Sequence, residues 1–541
     1  MRTIWSRCIV FFHSPDTWVF LLFSLVTFLS VFGPLLYLFF TAPNGTTYRF
    51  ADGFTDDYYQ YLSKIKDGMM GVPYYFNRYT DIVQPPTFGH AFFPMIGLLG
   101  ALLGMQRPDI VYLAARIVAL LLLFVTYIAV VRTYLSSFTH RIVAYIFFFT
   151  STSLYSLSQT ERGLRAIEPI VFSSYYNALQ KFSGPPQHLI AAALLLSVVL
   201  FFTTNTFPWR KYVGLSICAV IIGMLHPIVA LAGVLSILFM WGVVFLFNKQ
   251  DAQRLVVPVC VFSIMSALPI GYYAYLFSHI PPWTTWNTLI FQYNYQVNFF
   301  GFLRANGFFL PFLVFFVLVF RKHPRVAAFL ISWGVIVPVV LFPFAYEGKG
   351  ITLPRLLQIQ QYIPLSILSA MGVSLFLARF KKTWQTISIT LLCASAVCFA
   401  AVPWKMTIED SFFWKQYTYF NVFIPNDVLS AFEYLDSGTP KESVVFGGDL
   451  ISSMIPAFTH NRVVIGRGDV VDDYPERIQG MQDFFQLHLP PDAMKRYIDR
   501  YHVTYILFGI DGPNFTAPFT DFSYLRSVFR SGNIDVVQVI R

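Results

Sequence analysis

A chain of 541 residues that is 56% apolar and only 12% charged, with 59 phenylalanines, lies far from a water-soluble domain, where about 25% of residues carry charge. Its net charge of +10 suggests nucleic acid until the charges are placed. From Trp404 onward there are 12 Lys and Arg against 17 Asp and Glu, a net of −5, so the remainder holds 26 against 11, a net of +15 concentrated in short loops between apolar runs. That distribution excludes a nucleic-acid footprint and matches the bias that keeps basic loops in the cytoplasm.

In chain order, Arg2 and Arg7 precede an apolar run over 18–40. The run is long and no small-residue cleavage site follows, so an uncleaved first helix is predicted, not a signal peptide. Further apolar runs follow at 110–131, 142–158, 189–203, 212–225, 228–247, 255–277, 308–320, 326–344, 362–378 and 384–402. A bilayer-crossing helix needs about 20 residues, so the shorter runs must borrow from their flanks. The runs 212–225 and 228–247 read as a hairpin broken at His226 and Pro227. The connections RTYLSSFTHR, PWRKY, NKQDAQR, RKHPR and RFKK are short and basic. They alternate with longer aromatic loops over 42–109, 159–188, 278–307 and 345–361.

A cytoplasmic N-terminus puts all five basic connections inside, and the 42–109 loop and the C-terminal tail outside. This holds only if PTFGHAFFPMIGLLGALLGM, residues 86–105, does not cross. We expect that segment to lie in or dip into the outer interface. The fold class expected is an α-helical polytopic membrane protein with eleven spans; twelve is the competing count. The plasma membrane of a prokaryote is the expected location.

The tail differs in kind. SVVFGG, NRVVIG and VTYILFG read as strands, whereas YPERIQGMQDFFQ and DAMKRYIDRYH have helical spacing of apolar residues. A small extracytoplasmic α/β domain over 404–541 is expected beside a transmembrane domain over 1–403. The five cysteines (Cys8, Cys218, Cys260, Cys393, Cys398) offer neither a disulfide framework nor a thiolate metal site.

The loop after the first run contains TDDYYQYLSKIKDG, residues 55–68. As a helix it places Tyr58, Tyr61, Leu62 and Ile65 on one face, with Lys64, Lys66 and Asp67 toward the other and Gly68 as its stop. Such a helix is expected to lie along an interface with its tyrosines at headgroup depth. Asp56 and Asp57 stand at its N-terminus. They can cap free N–H groups there. Alternatively, one of them can face a pocket as a partly desolvated general base, while the other caps or helps hold a metal.

At this stretch the sequence resembles the GT-C superfamily of membrane glycosyltransferases, which includes protein O-mannosyltransferases, aminoarabinose transferases and oligosaccharyltransferase catalytic subunits. The likeness rests on a first apolar span, then an outward loop with an acid before aromatic residues, then a Gly-ended helix. QPPTFGHAFFPMIGLLGALLG resembles the Pro-led helix that follows in O-mannosyltransferase-like members, and VYLAARIVALLLLFVTYIAVV resembles their next span, with Arg116 near its outer end. The resemblance covers about residues 16–200. No WWD-type signature of oligosaccharyltransferases is present. It implies transfer of a sugar from a polyprenyl-phosphate donor to an extracytoplasmic glycan, lipid or protein acceptor, with Asp57 or Asp56 as the essential acid.

A lipid-phosphate donor calls for cations near the outer interface, because the leaving phosphate gains charge as the glycosidic bond breaks. Arg355 in EGKGITLPRLLQIQQYIP is the foremost candidate, with Arg116 and Lys349, and Arg162 and Arg165 behind them. Arg355 can instead snorkel or pair with Glu347. Glu161, Glu168 and His90 are candidates for the acceptor or a divalent metal, although salt bridges to Arg162 and Arg165 are the simpler account of the two glutamates. His90, His188 and His226 stand near outer helix ends with no metal-type spacing, and a structural role is the simpler reading. GRGD at 466–469 reads as a turn, and PPWTTWNTLIFQYNYQVNFFGF as an interfacial aromatic belt or a sugar-stacking surface. Two other function classes fit the spans: a transporter or lipid flippase, and a non-catalytic envelope scaffold. Few mid-span charges and no evident repeat argue against the transporter.

Overall fold

The computed structural model describes residues 14–51, 55–161, 163–167, 177–202, 208–292, 298–347, 351–413, 422–466, 471, 473–486, 489–509 and 522–541. Among them, six helices are long and apolar enough to cross a membrane: Pro15–Phe40, Pro108–Tyr134, Pro227–Phe247, Lys249–His279, Pro324–Tyr346 and Lys382–Phe412. A seventh span results if the bent pair Phe299–Ala305 and Gly307–Lys322 counts as one. Shorter apolar helices occupy Phe138–Thr150, Pro186–Phe202 and Tyr362–Leu377. The protein is an integral membrane protein. The helix Trp209–Leu225 ends at His226, and Pro227 opens the next one. Proline lacks the N–H that a first turn leaves unused, so it starts a helix without cost.

The chain divides into two compact units. The first comprises residues 1–34, 116–272 and 293–410. Its helix Tyr362–Leu377 is buried along most of its length, with Tyr362 stacked on Phe148 at 5.8 Å. The buried Asp16 accepts from Arg132 at 3.0 Å, Arg141 at 3.2 Å and Tyr145 at 3.1 Å. A buried carboxylate needs such partners, since leaving a buried charge unpaired costs about 3–5 kcal/mol. The strands Ser156–Thr160 and Gly163–Ile167 form an antiparallel hairpin that begins inside the run expected at 142–158 and continues into the expected 159–188 loop.

The second unit comprises residues 35–115, 273–292 and 411–541. In chain order its elements are β1 (Thr46–Tyr48), α1 (Thr55–Met69), α2 (Phe92–Leu102), β2 (Phe423–Pro425), α3 (Asn426–Gly438), β3 (Val444–Phe446), α4 (Asp449–Phe458), β4 (Arg462–Val463), α5 (Tyr474–Phe485), α6 (Pro491–Arg500), β5 (Tyr505–Phe508), β6 (Leu525–Ser531) and β7 (Ile534–Val539). β1 pairs antiparallel with β2, Thr47 opposite Ile424. The remaining strands form one sheet in the order β4-β3-β5-β7-β6, parallel across the first three and antiparallel after them. SVVFGG, NRVVIG and VTYILFG supply β3, β4 and β5. Every residue of β3 and β5 is buried, as parallel strands covered on both faces require.

Successive residues of β3 enter two cores. Val444 and Phe446 join Phe484 of α5 and Ile498 of α6. Val445 joins α4 and, through it, Tyr58, Tyr59, Leu62 and Ile65 of α1. The loop after α1 closes the sheet edge, where the Val463 amide of β4 donates to the Arg78 carbonyl at 2.9 Å. An unpaired edge would otherwise be open to association.

Two expectations about α1 are corrected here. Its tyrosines do not lie along an outer interface: Tyr58 and Tyr59 are fully buried in the core shared with α4. On its opposite side, Lys64 and Asp67 are buried as well. Gly68 does not stop the helix, which runs to Met69. A Cβ at Gly68 would fall 1.9 Å from the Pro94 carbonyl oxygen, so glycine there lets α2 pack against α1. α2 itself has 11 residues, about 16 Å of rise, too short to cross a bilayer.

Candidate active site

In the second unit, α1 carries a polar stripe. At 100° per residue, Lys64 lies within about 20° of Asp57, Gln60 within about 60° and Asp67 within about 80°. Asp57, in the first turn, is half-buried; the Asp56 side chain lies outside the description. Along the stripe burial deepens, with Gln60 at 7%, Lys64 at 1% and Asp67 at 0% exposure.

Lys64 and Asp67 each have a partner from beyond the helix. The Lys64 ammonium contacts Gln60 Oε1 at 3.0 Å and His90 Nδ1 at 2.7 Å, and it sits 4.7 Å from the Tyr75 ring centroid. His90 has a left-handed backbone at φ 55°, and its amide donates to the Tyr273 hydroxyl at 3.0 Å. The Trp283 ring lies 5.0 Å from the His90 ring, and its indole N–H donates to Thr87. Asp67 Oδ1 accepts from Arg78 Nε at 2.8 Å, and Arg78 also donates to Glu442 and to the His460 carbonyl. Burial raises the Asp67 carboxyl to about 6 against the pull of Arg78.

In the first unit a second polar cluster surrounds Arg355. Arg355, in the short helix Leu353–Leu357, donates to Gln358 Oε1 at 3.0 Å. The same oxygen lies 3.1 Å from His226 Nε2. The His188 and His226 rings are 4.7 Å apart, and both residues are buried. The Nε2 contact makes His226 the Nε2–H tautomer and leaves Nδ1 as an acceptor; that atom, both amide atoms of Gln360 and the Tyr362 hydroxyl are buried without a hydrogen-bond partner among the described residues. The Lys181 ammonium lies 4.4 Å from the Tyr362 ring centroid. Buried polar atoms are nearly always satisfied in folded proteins, so a cluster of unsatisfied ones points to a polar ligand or ordered water.

The other expected residues scatter. Arg116 is buried, donates to the Ser183 carbonyl and stands 5.7 Å from the Phe32 ring centroid. Glu161 is exposed at the hairpin turn. Arg165 pairs with Asp410, the acid of another helix, at 2.5 Å. Lys349, Arg162 and Glu168 lie outside the described residues. No group of three or more His, Cys, Asp or Glu side chains suited to a metal occurs among the described residues. Sequence reasoning missed Lys64, Gln358, Gln360 and Lys181. The run QIQQY, three amides directly before an apolar span, was the signal that could have exposed two of them.

The whole chain is similar to solved membrane transferases. It matches the apo oligosaccharyltransferase of Archaeoglobus fulgidus with a TM-score of 0.55 at 12% identity, over 92% of this chain and 70% of that one. The fold is GT-C-like. The oligosaccharyltransferase AglB of the same organism, in complex with an inhibitory peptide and a dolichol-phosphate, gives a TM-score of 0.52 at 11% identity over 91% and 69% of the two chains. ArnT from Cupriavidus metallidurans, bound to undecaprenyl phosphate, gives 0.50 at 11% identity over 97% and 98%. No protein-family model and no curated protein matches the sequence.

Proposed function

We propose that this GT-C-like protein is a membrane glycosyltransferase that moves a sugar from a polyprenyl-phosphate donor to an acceptor outside the cytoplasm. The observation that carries this reading is the polar group around Arg355, a cation joined through Gln358 to the buried His226, whose Nδ1 has no hydrogen-bond partner among the described residues, inside an apolar unit. A polyprenyl phosphate suits such surroundings, since its head is anionic and its tail is a hydrocarbon. AglB and ArnT, which are similar in fold, were solved with ligands of that class.

In this mechanism the Arg355 guanidinium holds the donor phosphate. Its charge offsets the negative charge that the phosphate oxygen gains as its bond to the anomeric carbon breaks. His226, His188 and Gln358 hold Arg355 in place and offer further polar contacts. The resemblance of its loop makes Asp57 the proposed base, the group that takes the proton from the acceptor nucleophile. The reading assigns eleven spans, an outer location for residues 42–109 and 404–541, and acceptor contacts to the 404–541 domain.

The test needs neither the sugar nor the acceptor. Undecaprenyl phosphate is titrated into the purified protein and its binding followed by native mass spectrometry. Arg355→Ala is expected to weaken binding at least tenfold, about 1.4 kcal/mol. Arg355→Lys recovers part of that, since an ammonium lacks the planar fork. Unchanged binding in both variants would sink the assignment.

A further inference from the structure

The stripe on α1 reaches past the candidate base. Asp57, Gln60, Lys64 and Asp67 share one side of a single uninterrupted helix, Thr55–Met69. Only Asp57 is within reach of solvent or substrate; Lys64 is 1% exposed and lies about 10 Å further along the axis. A buried ammonium is costly unless it is held, and here two acceptors hold it. One is Gln60, on the same helix, at 3.0 Å. The other is His90 Nδ1, from the loop that leads into α2, at 2.7 Å. His90 is itself fixed by its amide bond to Tyr273 and by the edge of Trp283. The Tyr61 ring, next to Lys64 on the wheel, stacks on Phe93 at 4.3 Å. A Cβ at Gly97 would fall 2.1 Å from the Ile65 carbonyl, so the helices approach too closely for α1 to turn freely.

A rotation of α1 about its axis would break the Lys64–His90 contact along with this packing, and it would turn Asp57 by the same angle. We propose that Lys64 is a positioning residue for Asp57. It acts through its clamp on His90, which fixes the rotation of α1 and hence the direction in which the Asp57 carboxylate points. Lys64 touches no reacting atom in this scheme. The proposal rests on the reading of Asp57 as the base.

A double-mutant cycle tests it. Wild type, Lys64→Met, Asp57→Asn and the double variant are compared in release of undecaprenyl phosphate from synthetic undecaprenyl-phosphate hexoses. Methionine keeps the length of the side chain and removes its charge. Lys64→Met is expected to lower kcat about 10- to 100-fold, with the donor KM within about twofold, because misaimed bases lose rate and not binding. In the Asp57→Asn background the same change should cost less than twofold, since two residues acting as one unit are not additive. His90→Asn, which tolerates the left-handed backbone but shortens the reach, should reproduce the Lys64→Met loss. It also carries the test if Lys64→Met does not fold. An equal loss in both backgrounds overturns the positioning role while leaving Asp57 as the base. Full activity in Asp57→Asn overturns the base and the positioning role together. Unchanged kcat in a folded Lys64→Met or His90→Asn overturns the positioning role alone.

Discussion

At the scale of single residues, the acidic pair separates two roles. Asparagine keeps the size of aspartate and still caps a helix, but it cannot take a proton near neutral pH. Asp57→Asn is expected to lower turnover about 10²–10⁴-fold with the fold intact. Asp56→Asn should cost only a few tenths of a kcal/mol in thermal unfolding. Equal activity in both variants would return the pair to a capping role. Asp67 gives a different signature. Its pKa is raised by burial, so folding favours the protonated form, and the stability this gives is full below about pH 4 and lost as pH rises through about 6. Relative to Asp67→Asn, the wild type should therefore lose roughly 2–3 kcal/mol between pH 4 and pH 6.5, read as a fall in its Tm relative to that of the variant. A constant difference across that window would mean that Arg78 keeps Asp67 ionised throughout. Asp67 and Lys64 could not be read as buried from the local sequence. A helical wheel knows only its own residues, and the groups that cover this side come from the loops at 70–91 and from Glu442 and His460, far along the chain.

At the scale of elements, α2 is the clearest case of a helix made by its neighbours. It has no charged residue, and its buried side presents Phe93, Pro94, Gly97 and Gly100. Its outer side leaves Met95, Leu99, Leu102 and Leu103 more than half exposed. Four large apolar side chains on one face of a short helix belong in a lipid interface. A bimane or similar probe at Leu99→Cys should be quenched by brominated lipids, whereas one at Ser437→Cys on α3 should not. Failure at Leu99 would mean that another protein surface covers this face. Gly97→Ala tests the close approach from the other side. The added methyl meets the Ile65 carbonyl and should destabilise the protein by about 1–3 kcal/mol in thermal unfolding. The strand runs of the tail were legible because buried parallel strands are continuous in valine, isoleucine and phenylalanine. The pair β6–β7 was not, since RSVFRSGNIDVVQV mixes charge into both strands of an edge hairpin.

For the molecule as a whole, the proposed orientation is testable without activity. In a background lacking the five native cysteines, Ser437→Cys should react with an impermeant thiol reagent in intact cells and Ser136→Cys should not. The opposite pattern would invert the orientation and remove the outer location of α1. The membrane class was legible from composition alone, because no water-soluble core can hide so many apolar residues in so few charges. The cluster at Arg355 was only half legible. The cation stood out just before an apolar span, but His188 and His226 come from other segments and are brought beside it by packing that no local pattern encodes.

The pairing of β1 with β2 has a consequence for biosynthesis. Thr47 and Ile424 are 377 positions apart, and the core that buries α1 is completed by residues later still. At about 5–20 residues per second, a ribosome needs roughly 20–75 s to close that gap. During that interval the loop at 42–109 has emerged without its cover, and the Asp57 helix waits for the end of the chain. Arrested chains stopped before residue 420 should therefore be cut by protease within 42–109, and full-length chains should resist.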